Sequence, residues 1–313
     1  MRFANYLQRI RSEQELTQQS LLELLINSDE QFSKLDLTTL SRWERGVTTP
    51  KLEKQIIIAR LMNDDIAHLL DPETNPSSNK KNSLDKIINT VKNSYINNDL
   101  PFHLIKLNML ENEPLLSKKL QAFHLHHLGV ELNDAFFTKK NVYVDLYLGE
   151  KEELIGHLLY GYVSVEHGRP SLDPNKCEFI ESSPEQEQEQ EQEQEIVLYF
   201  ISSYSIIPKP RSIIILTMLD ILRKNTSINS VCINCHNQDG FNIYDKMTTT
   251  EVIKKGEEVE FGGIKLFGKR YRYVQILVNI ESILASKIVA DLIPFTCKYI
   301  ENLLQEQKLK NDS

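Results

Sequence analysis

The alternation of apolar and polar residues over positions 1–70 predicts five short amphipathic helices. Apolar side chains recur at the spacing that places them on one helix face, in two segments before Asp36 and two after Pro50. Thr17 and Asp36 are suitable N-caps for the second and third helices. Gly46 suits the left-handed position after the third helix, and Pro50 prevents its continuation.

The predicted third helix has one face for burial and one polar face. Leu40 and Trp43 share the first face, whereas Leu37, Thr38 and Arg42 lie together on another. A long cation beside short hydroxyls on an exposed helix can enter a DNA major groove. The pattern therefore predicts DNA binding. The alternative is a small helical domain in which Trp43 belongs to the core and Arg42 is a solvated charge.

This arrangement of helices resembles the Cro/repressor (XRE-like) helix-turn-helix family of transcriptional regulators. The resemblance implies that Gln18 contacts phosphate and that Arg45 lies near a turn that contacts the DNA backbone. It places the remaining DNA-contacting positions on the third helix, at Leu37, Thr38, Thr39 and Arg42. The turn between helices two and three, positions 26–35, is longer than the roughly four residues usual for such a turn.

Two polar segments divide the rest of the chain. Positions 71–83 contain two prolines and no apolar residue, which predicts a linker after a DNA-binding domain at 1–70. A C-terminal domain then covers 84–313. Within it, the run at 184–195 alternates mostly between Glu and Gln and has no apolar face to bury, so we predict an extended acidic surface loop.

The C-terminal domain combines helical and strand patterns. Helical spacing occurs at 84–91 and 115–128, at 211–224 and 241–247, and in a long helix from 280 toward 307. Strand patterns occur at 102–108, 142–148, 154–165, 196–206, 230–234 and 271–280. The predicted fold class is thus α plus α/β, a five-helix helix-turn-helix domain joined to a mixed α/β domain.

The order of these elements over about 102–280 resembles the acyl-CoA-dependent N-acetyltransferase fold of the GNAT type. The run from Ile206 to Arg211 resembles the end of that family's fourth strand entering its cofactor helix. The run around Tyr244 resembles its later helix, where a tyrosine faces the leaving thiol. The resemblance makes Arg211 and Tyr244 candidate ligand-binding residues.

The phosphate-binding part of this resemblance is incomplete. A pyrophosphate loop needs small residues, because backbone N–H groups must approach the phosphates closely. Ile214 and Leu216 occupy the two glycine positions. We therefore predict a sensor or dimerisation domain without catalytic residues or a bound cofactor, and keep acyl-CoA as an alternative ligand.

Composition and charge restrict the partners and the compartment. The net charge of −8 argues against strong non-specific DNA binding by a monomer. No apolar run has the length of a membrane span, and no signal peptide is evident, so no membrane contact is predicted. Four cysteines without a leader indicate a reducing cytoplasm.

Two clusters could suggest a metal or haem, and we predict neither. Cys232-Ile-Asn-Cys235-His236 matches a haem-attachment pattern, but the run alternates as a strand does and lacks a second ligand pair. His124, His126 and His127 lie on a helical stretch and are predicted to be helix surface rather than metal ligands.

The resulting prediction is a cytoplasmic, sequence-specific transcriptional regulator that binds double-stranded DNA as a homodimer. Its C-terminal domain would dimerise and sense a small molecule or a protein. The apolar stripe from Ile288 to Leu304 either packs on its own domain or forms the dimer contact. The alternatives are a DNA-targeted acyl-CoA-dependent N-acyltransferase and an antitoxin-like DNA-binding partner of another protein.

Overall fold

The computed structural model describes residues 3–70, 100–111, 113–165, 171–181, 195–248 and 250–311. The predicted linker at 71–83, the predicted helix at 84–91 and positions 184–194 of the Glu/Gln run lie outside the described residues. Within the described ranges, none of the helices combines the length and apolar character needed to cross a bilayer.

The N-terminal region is helical, as its hydrophobic pattern predicts. Its helices are α1 (Phe3–Glu13), α2 (Gln18–Ser28), α3 (Leu37–Glu44), α4 (Leu52–Leu61) and α5 (Ile66–Leu69). Thr17 caps α2 by accepting the Ser20 N–H, and Asp36 caps α3 by accepting the Thr39 N–H at 2.6 Å. The long turn before α3 holds a 3-10 turn whose Phe32 is buried. The helix-turn-helix interpretation of these helices stays a prediction.

Beyond the N-terminal helices, the described residues form a mixed sheet of eight strands, consistent with the GNAT-like α/β domain expected from the resemblance. Seven strands run in the order β1-β2-β3-β5-β6-β10-β7, and β4 pairs with β3. All of these pairings are antiparallel except that of β5 with β6. The strands are β1 (Phe102–Leu107), β2 (Val142–Gly149), β3 (Leu154–Val165), β4 (Phe179–Ile180), β5 (Glu195–Ser205), β6 (Ile228–Cys235), β7 (Thr250–Lys255) and β10 (Val274–Asn279).

A separate hairpin of two short strands, β8 (Ile264–Leu266) and β9 (Lys269–Tyr271), precedes β10. The hydrophobic pattern did not predict this hairpin, nor β4 and β7. The hairpin strands and β4 are short and β7 is only half-buried, so each lacks the repeated buried positions from which a strand can be recognised.

Helices cover both faces of the sheet. They are α6 (Pro114–Phe123), which continues as a π-helical turn (His124–Leu128), α7 (Asp134–Phe137), α8 (Pro208–Lys224), α9 (Gln238–Met247), α10 (Ile280–Ala285), α11 (Lys287–Ala290) and α12 (Thr296–Asn311). On one face, α8 and α10 join the larger apolar core. On the other, Leu120 and Phe136 from α6 and α7 contribute to a second core.

The prediction of one continuous C-terminal helix is wrong. The helix is interrupted at Ser286, whose backbone is extended, and again by a 3-10 turn (Ile293–Phe295) that contains Pro294. A proline inside a helix removes a hydrogen bond and clashes with the preceding turn. Most of the apolar stripe packs inside its own chain, because Leu292 and Tyr299 are buried and α12 contacts α8, whereas Ile288 is exposed.

The N-terminal helices are anchored to the sheet region by Arg60 of α4. This side chain is buried and forms an ion pair of 2.9 Å with Glu281 of α10. Its guanidinium also donates to the backbone carbonyls that follow α8, among them those of Thr226 and Ile228. The apolar core of the helices is continuous with the core on the α8 face of the sheet.

Candidate active site

The site lies where the two parallel strands separate. β5 and β6 are paired from Ile196 and Ile228 as far as Phe200 and Ile233, after which both strands continue without each other. At the same level β5 contains a bulge, because Ile201 is an extra residue in its pairing with β3. A bulge bends its strand and increases the twist, which turns the end of β5 away from β6.

A buried polar network fills the vertex of this gap. The Asn234 side chain donates to the Ile201 carbonyl at 3.0 Å and to the Tyr199 hydroxyl at 2.8 Å. Gln275, its neighbour on β10, donates to the Asn234 carbonyl oxygen and to the Leu172 carbonyl, both at 2.9 Å. These bonds satisfy groups that strand pairing no longer satisfies, so the gap is a fixed feature of the fold.

A cavity of about 480 Å³ opens from the gap under α8, α9 and α10. Crevices at the carboxyl ends of strands, where neighbouring strands part, are the usual ligand sites of open α/β sheets. Polar side chains of the wall include Ser203, Tyr204, Ser205, Arg211, His236, Asn237, Asp239 and Tyr244, of which Asn237 and Asp239 are exposed and mark its outer end. The inner wall is aliphatic and includes Ile214, Met218, Leu219, Leu222, Val231, Ile283 and Val289.

The N-terminus of α8 reaches the cavity but offers few backbone donors. Pro208 and Pro210 have no N–H, and the Arg211 N–H donates to the Ile207 carbonyl. A pyrophosphate needs several free N–H groups at such a position. The residues present therefore do not fit a backbone cradle for pyrophosphate.

The sequence also predicted that no pyrophosphate cradle is present, but it assigned the obstruction to the wrong residues. Ile214 and Leu216 lie well inside α8 rather than in the loop before it. Ile214 lines the cavity, and Leu216 is fully buried in the core. Because phosphate would approach the first turn of the helix, the two prolines remove the donors.

Arg211 and Tyr244, predicted from separate segments, line the same cavity. The Arg211 guanidinium donates to the Ser205 carbonyl at 3.1 Å and to the Ile206 carbonyl at 3.1 Å, so it caps the end of β5. Burial lowers the pKa of Arg211 and raises the pKa of Tyr244, whose phenol therefore keeps its proton at neutral pH. Ligand binding by these two residues stays a prediction.

A cluster of imidazoles and aromatic rings surrounds Phe123 beside the gap. The Phe123 ring centroid lies 4.6 Å from that of His157, 5.3 Å from that of Tyr204 and 5.5 Å from that of His236. Tyr204 and His236 also line the cavity. The cluster and the cavity therefore meet at the outer end of β5 and β6.

Ser202 holds two of these imidazoles. Its hydroxyl lies 2.8 Å from His124 Nε2 and 2.9 Å from His157 Nε2, and all three side chains are buried. One hydroxyl can donate to one imidazole nitrogen and accept from the other, which fixes both rings. His124 is thus an internal residue, and the prediction that it lies on the helix surface is wrong.

Burial keeps these histidines neutral. It lowers the pKa of His124 to about 3 and the pKa of His236 to about 4, and the pKa of His157 falls well below its ordinary value. His236 Nδ1 is buried without a hydrogen-bond partner among the described residues. The neutral His236 ring therefore forms part of the cavity wall, with its Nδ1 enclosed by protein.

Sequence reasoning considered His236 and His124 only as haem or metal ligands, and it missed Tyr204 and His157 altogether. His236 and Tyr204 each follow a strongly apolar strand segment, and polar residues at strand ends are a recognisable signal. His157 lies within a buried strand and gives no such signal. The described residues contain no group of three or more His, Cys, Asp or Glu side chains placed to hold a metal ion.

The residues predicted to contact DNA lie at the other end of the sequence. Leu37, Thr38, Arg42 and Arg45 are exposed on or beside α3, and Thr39 is half-buried. Gln18 is engaged inside the protein, because its amide donates to the buried Glu44 carboxylate at 2.5 Å. DNA contact by these residues stays a prediction.

No protein family matches the sequence, and no curated protein does either. The similar solved structures include Arabidopsis thaliana NAA60 in complex with acetyl-CoA, at 11% identity and a TM-score of 0.33, covering 56% of this chain and 99% of that one. TofI in a ternary complex with an inhibitor and MTA has 10% identity and a TM-score of 0.33, covering 62% and 100%. A bacterial toxin has 14% identity and a TM-score of 0.29, covering 59% and 95%.

These findings correct the functional prediction. The interpretation as a DNA-binding transcriptional regulator is not carried forward: none of these three structures is described as a DNA-binding protein, and one is a complex with acetyl-CoA. The TM-scores are low, so any assignment of chemistry depends on this chain's own geometry. That geometry is a cavity at diverging parallel strands with protic side chains at its mouth.

Proposed function

We propose that this protein transfers an acyl group from a CoA thioester to an amine. The observation that carries the proposal is the gap between β5 and β6, which opens into an apolar cavity with Tyr204, His236 and Tyr244 on its wall. The cavity suits the acyl and pantetheine portions of the donor, which are long and mostly uncharged. The pyrophosphate would stay near the mouth, where Arg211 supplies positive charge but α8 supplies few amides.

The backbone of β5 beyond Phe200 has a role in this proposal. Its edge toward β6 has lost its strand partner, so N–H groups on that edge face the gap. An N–H placed there can donate to the thioester carbonyl and stabilise the oxyanion that forms on attack. The Asn234 network keeps the edge open by bonding the Ile201 carbonyl.

The transfer requires two proton movements. The amine nitrogen attacks the thioester carbon, the carbon–sulfur bond breaks, and the products are an amide and a thiol. Solvent water accepts the proton that the attacking amine loses, beside the neutral His236 ring on the cavity wall. Tyr244 stays protonated because burial raises its pKa, so it can donate its proton to the leaving thiolate and regain one from solvent.

The test is turnover by the full chain, with acyl-CoA donors of several chain lengths and a panel of primary amines and lysine-containing peptides. Amide product is measured by mass spectrometry, because the protein's own cysteines would disturb a thiol assay. Tyr244→Phe keeps the ring and removes the proton, and should lower kcat by roughly 100-fold or more.

His126→Gln is the matched control, since His126 is exposed and does not line the cavity. It should leave kcat unchanged. Absence of both binding and turnover with every donor would show the proposal to be wrong. Full activity of Tyr244→Phe would remove Tyr244 from the mechanism.

A further inference from the structure

The cavity is much larger than an acetyl group requires. Its volume of about 480 Å³ lies within the roughly 300–1,000 Å³ usual for sites that enclose whole small molecules. The lining runs from Arg211 near the start of α8 to Leu222 in its last turn. At the helical rise per residue, that separation is about 16 Å. The cavity is therefore elongated along the helix.

Polar and apolar side chains line opposite ends of the cavity. The outer end has Arg211, Asn237 and Asp239, whereas Leu222, Val231 and Ile283 line the inner end. A site with a polar mouth and an aliphatic interior fits a ligand with a polar head and a long apolar tail. An acetyl donor would leave the inner half unfilled by the ligand.

We infer that the donor carries a medium- or long-chain acyl group, whose tail lies along α8 toward Leu222 and Val231. The inference rests on the proposed acyl transfer and names its substrate class. Each methylene that enters the aliphatic part should strengthen binding roughly fourfold, because it leaves water for an apolar environment.

The inner end is held by the N-terminal helices. Ile283 belongs to α10, where Glu281 pairs with Arg60 and Ser282 donates to Glu53 at 3.0 Å. The Leu222 carbonyl lies within 3.5 Å of the Arg60 guanidinium. The depth of the cavity is therefore set by elements anchored to α4, and this limits the length of the tail.

Equilibrium binding to the full chain tests the inference without requiring turnover. Isothermal titration with acetyl-, octanoyl- and palmitoyl-CoA, and displacement of a fluorescent fatty acid by octanoate and palmitate, separate the tail from the CoA portion. Affinity should rise at least 100-fold from acetyl- to octanoyl-CoA, and the free fatty acids should compete for the same site. Equal affinity for acetyl- and octanoyl-CoA would overturn the inference.

Two variants locate the tail. Val231→Phe places a ring at the inner end, and should weaken palmitoyl-CoA at least tenfold while retaining octanoyl-CoA. Met218→Trp fills the middle of the cavity and should weaken both, but not acetyl-CoA. If thermal melting shows that Val231→Phe is unfolded, the affinities of Met218→Trp alone test the position of the tail. Unchanged palmitoyl affinity in a folded variant would place the tail elsewhere and overturn the inference.

Ile221→Phe is the control, because Ile221 lies on the same helix as Met218 but does not line the cavity. It should change no affinity. The two proposals fail separately. If the acyl tail binds but no donor yields an amide, this inference holds and the proposed acyl transfer is wrong. If the acetyl group is transferred and chain length has no effect on affinity, the proposed acyl transfer holds and this inference is wrong.

Discussion

The N-terminal helices and the gap between β5 and β6 differ in what surrounds their polar side chains. In the helices, Glu44 is bound on both carboxylate oxygens, by Arg11 and Gln18 at 2.5 Å each, and Arg60 is committed to Glu281 and to backbone carbonyls. At the gap, His236 keeps an unused nitrogen among the described residues and lies on a cavity wall. Polar side chains thus anchor the helices to the rest of the protein, whereas at the gap several of them line a cavity.

A strong local sequence pattern therefore identifies a structural element more directly than it identifies an activity. The capped α3 and its cationic face gave the clearest signal in the sequence, yet Gln18 beside it serves an internal carboxylate. The cavity had a weaker signal, because its wall is assembled from strands and helices distant in sequence. Three experiments test this difference between the two regions.

The largest expected effect is acid destabilisation of the sheet region. Burial lowers the pKa of His124 to about 3 and the pKa of His236 to about 4, and lowers the pKa of His157 as well. The unfolded chain, with an ordinary histidine pKa of about 6.5, therefore binds more protons below that pH. Stability is fully present above about pH 6.5 and is lost as the pH falls toward these folded-state values. Near pH 5, His124 and His236 should each remove about 2 kcal/mol of stability.

Urea unfolding followed by circular dichroism at several pH values measures this loss. His124→Gln keeps a hydrogen-bonding group for Ser202 and should reduce the slope of stability against pH. His103→Gln, at an exposed position on β1, is the control and should leave the slope as it is. A slope unaffected by His124→Gln would contradict burial of a neutral imidazole there.

The second expected effect concerns the anchor between the two regions. Arg60→Ala should lower the free energy of unfolding by about 3–5 kcal/mol, because Glu281 loses its buried partner and several carbonyls lose a donor. Chemical denaturation measures the change. Arg45→Ala, at an exposed site, should stay within about 0.5 kcal/mol of the wild type. A loss below about 1 kcal/mol for Arg60→Ala would mean that the sheet region does not depend on this contact.

The smallest expected effect is confined to the helices. Glu44→Gln removes the ion pair with Arg11 but retains an oxygen for Gln18, so it should cost about 1–2 kcal/mol. Acyl-donor affinity should not change, since Glu44 does not line the cavity. Glu23→Gln is the control, at an exposed position of α2. Weaker donor binding by Glu44→Gln would show that the two regions are coupled more closely than the contacts indicate.

Much of the local structure could be predicted from the sequence alone. Thr17 and Asp36 cap helices at their predicted positions, and the Cys232–Cys235 run lies in strand β6. These features depend on periodic burial and on bonds between residues a few positions apart, so a short window of sequence contains the information. The same short windows of sequence did not establish a regulator function, because a helix face shows which side chains are exposed but not what they contact.

The tertiary structure alone decided the candidate site. The gap arises because parallel pairing of β5 with β6 stops at Phe200 and Ile233, and because Ile201 bulges against a third strand. Ser202 meets His124 and His157 across 78 and 45 positions of sequence. Burial then sets the protonation of these imidazoles, and burial depends on packing between elements that no local pattern specifies. The sequence by itself determined most of the longer strands and helices, and the tertiary packing determined where they part to leave room for a ligand.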